Sequence, residues 1–220
     1  MAESRPVALP PAERTVGQMV AESIRFYGDH FGAVLLLGLP FVVLDILSID
    51  QPWRRQVLVG WLVGPFVCAA YVRAGMLVHR TFWSWRAYAA ALLVYLPYPI
   101  LGVYVLPAVV WFAAIGLGIP QGVAEGLDVR GTLRRGLELS RAGLLHAIGG
   151  LATLVLVVGI TRIALEVLLN TQGGQAREIA VVLADLVLSP LLYVGAALLA
   201  VDQAARRLEA PSAKPSTPGR

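Results

Sequence analysis

Along this chain the apolar positions come in long blocks instead of alternating with polar ones at the short periods of a soluble helix or strand. Blocks as long as a hydrocarbon slab of ~30 Å predict membrane-spanning helices. Phe31–Ile49 (FGAVLLLGLPFVVLDILSI) and Val57–Val78 (VLVGWLVGPFVCAAYVRAGMLV) are each close to the ~20 residues a span needs, and carry one charge apiece, Asp45 and Arg73. Residues 87–124 then run for 38 positions without a charge. As one helix rising ~1.5 Å per residue, that stretch would be nearly twice the slab thickness, so it predicts two spans, about 87–106 and 108–124. Pro97, Pro99 and Pro107 interrupt it, and the turn is expected near Leu106 and Pro107, because proline lacks an amide donor and bends a helix. The fifth and sixth spans are expected over about 142–169 and 179–201, joined by NTQGGQARE, whose glycines and polar residues suit an exposed turn.

Two further segments carry the helical period with charges on the opposite face. In 15–30 the apolar positions are Val16, Met19, Val20, Ile24 and Tyr27, with Glu22, Arg25 and Asp29 elsewhere on the wheel. In Glu125–Arg141 and just beyond, Val129, Leu133, Leu137 and Leu144 recur at helical spacing. Both predict amphipathic helices at the membrane surface, the second over about 128–141. Residues 1–14 and 204–220, rich in Pro, Ala and charge, predict disordered tails. The expected architecture is all-α: a polytopic membrane protein with six transmembrane helices over 31–203 and two interfacial amphipathic helices.

Composition agrees. The chain is 57% hydrophobic and 15% charged with mean hydropathy +0.71, whereas about a quarter of a soluble domain is charged. The net charge of +4 and pI near 9.6 do not read as a nucleic-acid surface, since no basic run is interleaved with aromatics. They read as orientation. With both termini cytoplasmic, thirteen Lys and Arg fall in inner segments and three, Arg54, Arg55 and Arg177, in outer loops. Trp53 before the second span, and Trp83, Trp85 and Tyr88 at the inner edge of the third, sit where aromatic belts sit. Residues 1–30 carry charges throughout and contain no leader-like apolar stretch. Cys68 is the only cysteine, so no intrachain disulfide and no Cys-based metal site is expected.

Ionisable groups inside a bilayer are costly and count as functional candidates. Asp45, Arg162, Glu166 and Asp185 thread to the outer half of the bundle, and Arg162 and Glu166 share a helical face. Arg162 is positioned to bridge Glu166 and whichever of Asp45 or Asp185 faces it, leaving a net charge of minus two. One reading is a proton or cation site, or a gate; the other is a polar clasp that fixes packing. Arg73, Arg130, Arg134, Arg135 and Arg141 are expected to contact lipid headgroups. Gly60 and Gly64 form a small-residue face suited to close packing within the bundle. GLGIPQG looks like a phosphate loop but has the wrong spacing and lies at membrane depth. His30, His79 and His146 are scattered, so no metal site, no cofactor and no catalytic constellation is expected. At a constant offset of 116 residues, Arg14, Glu22, Arg25 and His30 match Arg130, Glu138, Arg141 and His146; this reads either as a parallel internal repeat or as coincidence, since identity elsewhere at this offset is sparse.

The segment PAVVWFAAIGLGIPQGVAEGLDVRGTLRRGLELSRAG, with a turn proline, a second proline, Glu-Gly and a basic helix, resembles the glycerophosphoryl diester phosphodiesterase membrane-domain family of bacteria. FYGDHFG and PLLYVGAALLAVDQAARR are similar to the same family, so the resemblance covers roughly residues 15–207. It implies a six-helix protein of the bacterial cytoplasmic (inner) membrane with surface helices before spans one and five. It does not imply phosphodiesterase activity, which in the family belongs to a separate soluble domain. The family's tyrosine and aspartate before Arg-x-Arg are met only loosely by Tyr193 and Asp202. The sequence as a whole favours a non-enzymatic scaffold or accessory subunit. Its expected partners are the lipid bilayer and a membrane-protein partner or a second copy as a homo-oligomer, with no nucleic acid. The alternative is a small transporter or channel that uses the acidic cluster, and a lipid-acting intramembrane enzyme ranks third.

Overall fold

A reciprocal cap opens the first helix. In the computed structural model, which describes residues 10–49, 51–168 and 174–209, Thr15 Oγ1 accepts from the Gln18 amide at 3.4 Å and Gln18 Oε1 accepts from the Thr15 amide at 2.9 Å. Helix α1 then runs over Val16–Asp29. It is followed by α2 (Phe31–Leu35), a 3-10 turn (Leu36–Gly38), α3 (Leu39–Ser48), α4 (Trp53–His79), α5 (Trp85–Tyr95) and α6 (Tyr98–Leu101). The chain continues as α7 (Val105–Trp111), a π-helical segment (Phe112–Gly116), α8 (Gly118–Glu125), α9 (Val129–Leu168) and α10 (Gly174–Glu209). No strand occurs among the described residues.

Five of these helical stretches are long and apolar enough to cross a membrane: Phe31–Ser48, Trp53–His79, Val105–Glu125, Gly143–Leu168 and Val182–Leu208. Their outer faces are apolar. Leu58, Leu62 and Phe66 on α4, and Leu156, Ile160, Ile163 and Val167 on α9, are 59–69% exposed. Such stripes far exceed what a soluble monomer shows to water, and the molecule is a membrane-embedded helical protein.

The stretch 87–106, read from the sequence as one span, is not one helix. α5 stops at Tyr95, because Pro97 and Pro99 supply no amide donors, and α6 adds only 4 residues. At ~1.5 Å per residue α5 alone is about 16 Å long and too short to cross. Together α5 and α6 run antiparallel along α4. The Tyr88 hydroxyl donates to the Pro65 carbonyl (3.3 Å), that of Tyr95 to Gly60 (3.2 Å), and the Trp61 indole to the Leu96 carbonyl (2.9 Å). Gly60 faces Pro99 and Gly64 faces Tyr95, so the small-residue face packs inside the bundle. The chain reverses over 102–104 and not at Pro107, which lies in the first turn of α7, where its missing N–H leaves no helical bond unmade.

Proline elsewhere frees carbonyls that the bundle uses. Pro120 cannot donate to Gly116, and the Tyr71 hydroxyl does so instead at 3.2 Å. Pro190 leaves the Leu186 carbonyl without a helical donor, and Gly38 packs directly on that oxygen, where a Cβ would overlap it. In GLGIPQG, Gly118 lies against the backbone of Thr132 and Gly136, so its glycine permits helix contact and has no phosphate-binding geometry.

Three boundaries differ from the sequence reading. The expected tail from residue 204 is helical through Glu209, because Asp202 and Gln203 are fully buried and Arg206 donates to the Arg14 carbonyl at 2.8 Å. The expected N-terminal tail includes a 3-10 turn, Pro11–Glu13, with Ala12 buried. The apolar face of α1 covers protein as well as the surface: Met19 and Tyr27 are buried in the core, and Ile24 alone of the five is strongly exposed. Residues 1–9, 50, 169–173 and 210–220 lie outside the described residues, and with them the first part of the turn expected from NTQGGQARE; its remainder, 174–178, is helical and opens α10. Finally, α9 leaves helical geometry at Gly143, where the Gln203 amide donates to the Gly143 carbonyl at 3.4 Å. That break divides the surface segment from the span.

Candidate functional site: a charged cluster between three helices

The four candidate residues meet. Asp45 comes from the last turn of α3, Arg162 and Glu166 lie one turn apart on α9, and Asp185 comes from α10. Arg162 addresses each carboxylate with a different nitrogen: Nη2 to Asp45 Oδ2 at 2.5 Å, Nη1 to Asp185 Oδ2 at 3.2 Å, and Nε to Glu166 Oε1 at 3.4 Å. Burial is graded around it. The Asp185 side chain is 5% exposed and that of Asp45 19%, whereas Glu166 and Arg162 keep about a third in the open. The Ser189 hydroxyl donates to the Asp185 carbonyl at 2.6 Å, one turn back along α10.

The position follows from helix arithmetic. Arg162 and Asp185 lie 19 and 18 residues from Gly143 and Gln203, which touch each other. At ~1.5 Å per residue this places the cluster about 27 Å away, at the opposite end of the bundle from Arg14. One guanidinium faces three carboxylates, so with all groups ionised the cluster carries minus two. In a low-dielectric slab an uncompensated charge of that size is strongly unfavourable. Among the described residues no three His, Cys, Asp or Glu converge to hold a metal ion; here the guanidinium occupies the centre.

The arginines expected at headgroups divide. Arg73, Arg130 and Arg141 are exposed, and Arg134 is 80% exposed while pairing with Glu138 at 2.9 Å. Arg135 keeps 20% of its side chain exposed and pairs with Glu125, its Nε at 3.1 Å and Nη2 at 2.8 Å from the same oxygen, where α8 packs on the first part of α9. Glu138 also pairs with Arg207, tying α9 to the end of α10. Hydrogen bonds from Arg207 and then Arg134 hold the Glu138 carboxyl below its usual range.

Sequence reasoning passed over a second ionic contact. Arg14 pairs with the fully buried Asp202 at 3.2 Å, across 188 positions of sequence. The available signal was an adjacent acid and amide, Asp202 and Gln203, at the end of an apolar run. The three histidines remain apart from the cluster, and Cys68 is buried and free. Comparison of the chain with protein-family models, curated proteins and solved structures gives no match.

Proposed function

We propose that this chain is a non-enzymatic multi-pass membrane protein whose Asp45–Arg162–Glu166–Asp185 cluster takes up and releases a proton, as part of a small transporter or channel. The observation that carries this reading is the count of charge at the cluster: three carboxylates share one guanidinium within three of the helical stretches long and apolar enough to cross a membrane. A proton is the counter-charge that fits, because the carboxylates point at Arg162 and not at a common metal position. The orientation is part of the proposal. The excess of basic residues in the inner segments favours both termini cytoplasmic. The Arg14–Asp202 and Glu138–Arg207 pairs gather the N-terminal segment, the surface part of α9 and the end of α10 at one end of the bundle. That gathering suits an even number of crossings, six with the broken α5–α6 pair as the third, and it puts the cluster in the outer half. Placement in a bacterial inner membrane, and kinship with the phosphodiesterase membrane-domain family, rest on the resemblance alone.

The test is proton flux into liposomes that hold the purified protein and a pH-sensitive dye, driven by an imposed membrane potential. Wild type is expected to pass protons faster than empty liposomes, and Asp185→Asn and Glu166→Gln to lose that flux while keeping their helical signal. Wild-type flux equal to that of empty liposomes would sink the reading.

A second reading, a scaffold for a membrane partner or a homo-oligomer, is favoured by uneven burial. Only 22% of the best window of Phe31–Ser48 and 28% of that of Gly143–Leu168 is buried inside the molecule, against 50–56% for the other three spans. Native mass spectrometry from membranes distinguishes the two, since a scaffold emerges with its partner and a self-sufficient carrier emerges alone.

A further inference from the structure

A partly open cavity of about 120 Å³ is lined by residues on both sides of the α5–α6 break, Tyr95 and Tyr98 among them. Phe41, Tyr71, Tyr95, Tyr98, Phe112 and Tyr193 set aromatic rings around it. The remaining lining is aliphatic apart from the thiol of Cys68, and no charged side chain takes part. Two of the hydroxyls are committed, Tyr71 to the Gly116 carbonyl and Tyr95 to that of Gly60, each at 3.2 Å. The Tyr193 hydroxyl is not: the residue is 5% exposed, and its oxygen is buried with no hydrogen-bond partner among the described residues. Buried hydroxyls in native proteins nearly always have a partner.

The geometry points to a binding site here for an uncharged, lipid-soluble ring compound that bears a carbonyl oxygen, the chemistry of a quinone head group, with that oxygen accepting from the Tyr193 hydroxyl. The volume approaches that of an apolar cavity that takes up benzene, ~150 Å³, and because the cavity is partly open a ring's substituents can extend beyond it. The walls support it as well. Tyr193 lies 5.6 Å from Phe41 and 6.4 Å from Tyr71 between ring centroids, both tilted, so an entering ring meets edges and faces at aromatic packing distances. A charged ligand would find no counter-charge. A saturated acyl chain would fill the volume and leave the hydroxyl unpaired, and a lone water needs roughly two to four polar partners. The π-helical segment adds to the case, because it includes Phe112 in the wall and such bulges are frequent at functional sites. The site is separate from the charged cluster: Tyr193 is eight residues, about 12 Å along α10, from Asp185. It therefore stands or falls independently of the proton reading.

The probe is duroquinone, whose fully substituted ring does not add the nearby Cys68 thiol. Melting of the purified protein in detergent is followed against duroquinone concentration, with p-xylene as a smaller methylated ring that lacks oxygen. A saturable rise in melting temperature is expected with duroquinone and a much smaller one with p-xylene. Tyr193→Phe keeps the ring and should weaken duroquinone binding by roughly tenfold while leaving any p-xylene effect unchanged. Ala91→Leu, which places a larger side chain in the wall, should abolish the response; a helical signal equal to wild type shows that this variant folds. The inference is overturned by no response to duroquinone, by equal responses to both rings, or by unaltered binding in Tyr193→Phe.

Discussion

Arg162 holds three carboxylates from three helices with three different nitrogens, so its removal leaves each of them without its cation. Arg162→Met should destabilise the protein by about 3 kcal/mol, near the lower end for breaking a buried pair because a third of the side chain is exposed. Chemical denaturation in detergent measures this, and adding Asp185→Asn to that variant should recover part of the loss. The cluster was legible in the sequence for a physical reason. A charge within an apolar block is conspicuous, and i,i+4 spacing puts Arg162 and Glu166 together without knowledge of the fold. Arg14 and Asp202 were not legible as partners. Each lies where composition turns polar, which reads as tail, and nothing local joins residues 188 apart. The Arg135–Glu125 pair was not legible either, because the ten positions that separate them include a break between helices and local spacing does not bring them together.

Among the elements, three of the six expected spans, the second, fifth and sixth, correspond to long single helices or to the span portion of one, because hydrophobic length alone specifies them, while the fourth runs as α7, the π-helical segment and α8. The first is apolar enough but includes a 3-10 turn before Pro40. The third is broken, and hydropathy could not show it, since Pro97 and Pro99 change the backbone and not the polarity of the block. Surface helices were visible from their period, yet the period does not say what covers the apolar face, and Met19 and Tyr27 of α1 turn out to face protein. The surface part of α9 is fastened by Glu138 to Arg134 and Arg207. A carboxyl held below its usual range stabilises the fold above its unfolded pKa, and that stability is lost as pH falls through the folded value. The stability gap between wild type and Glu138→Gln should therefore be present at neutral pH and close in acid, below about pH 4. Parallel melting curves from pH 7 downward check this; a gap that persists unchanged in acid would mean that Glu138 acts through packing.

For the whole molecule, the pairs Arg14–Asp202 and Glu138–Arg207 place both described ends of the chain at one end of the bundle. Single cysteines in a Cys68→Ala background convert that into a topology. Arg54→Cys, in the first turn of α4, should react with a membrane-impermeant maleimide on intact cells, whereas Glu13→Cys and Asp128→Cys should react only after permeabilisation. The opposite pattern would invert the protein and move the charged cluster to the inner half. The central claim is that this cluster holds an exchangeable proton, and infrared difference spectroscopy of the protein in lipid across a pH titration tests it most directly. A protonated-carboxyl band is expected that titrates reversibly and disappears in at least one of Asp45→Asn, Glu166→Gln and Asp185→Asn. A spectrum with no titrating carboxyl band that these variants alter would contradict it and leave the cluster as a clasp between α3, α9 and α10.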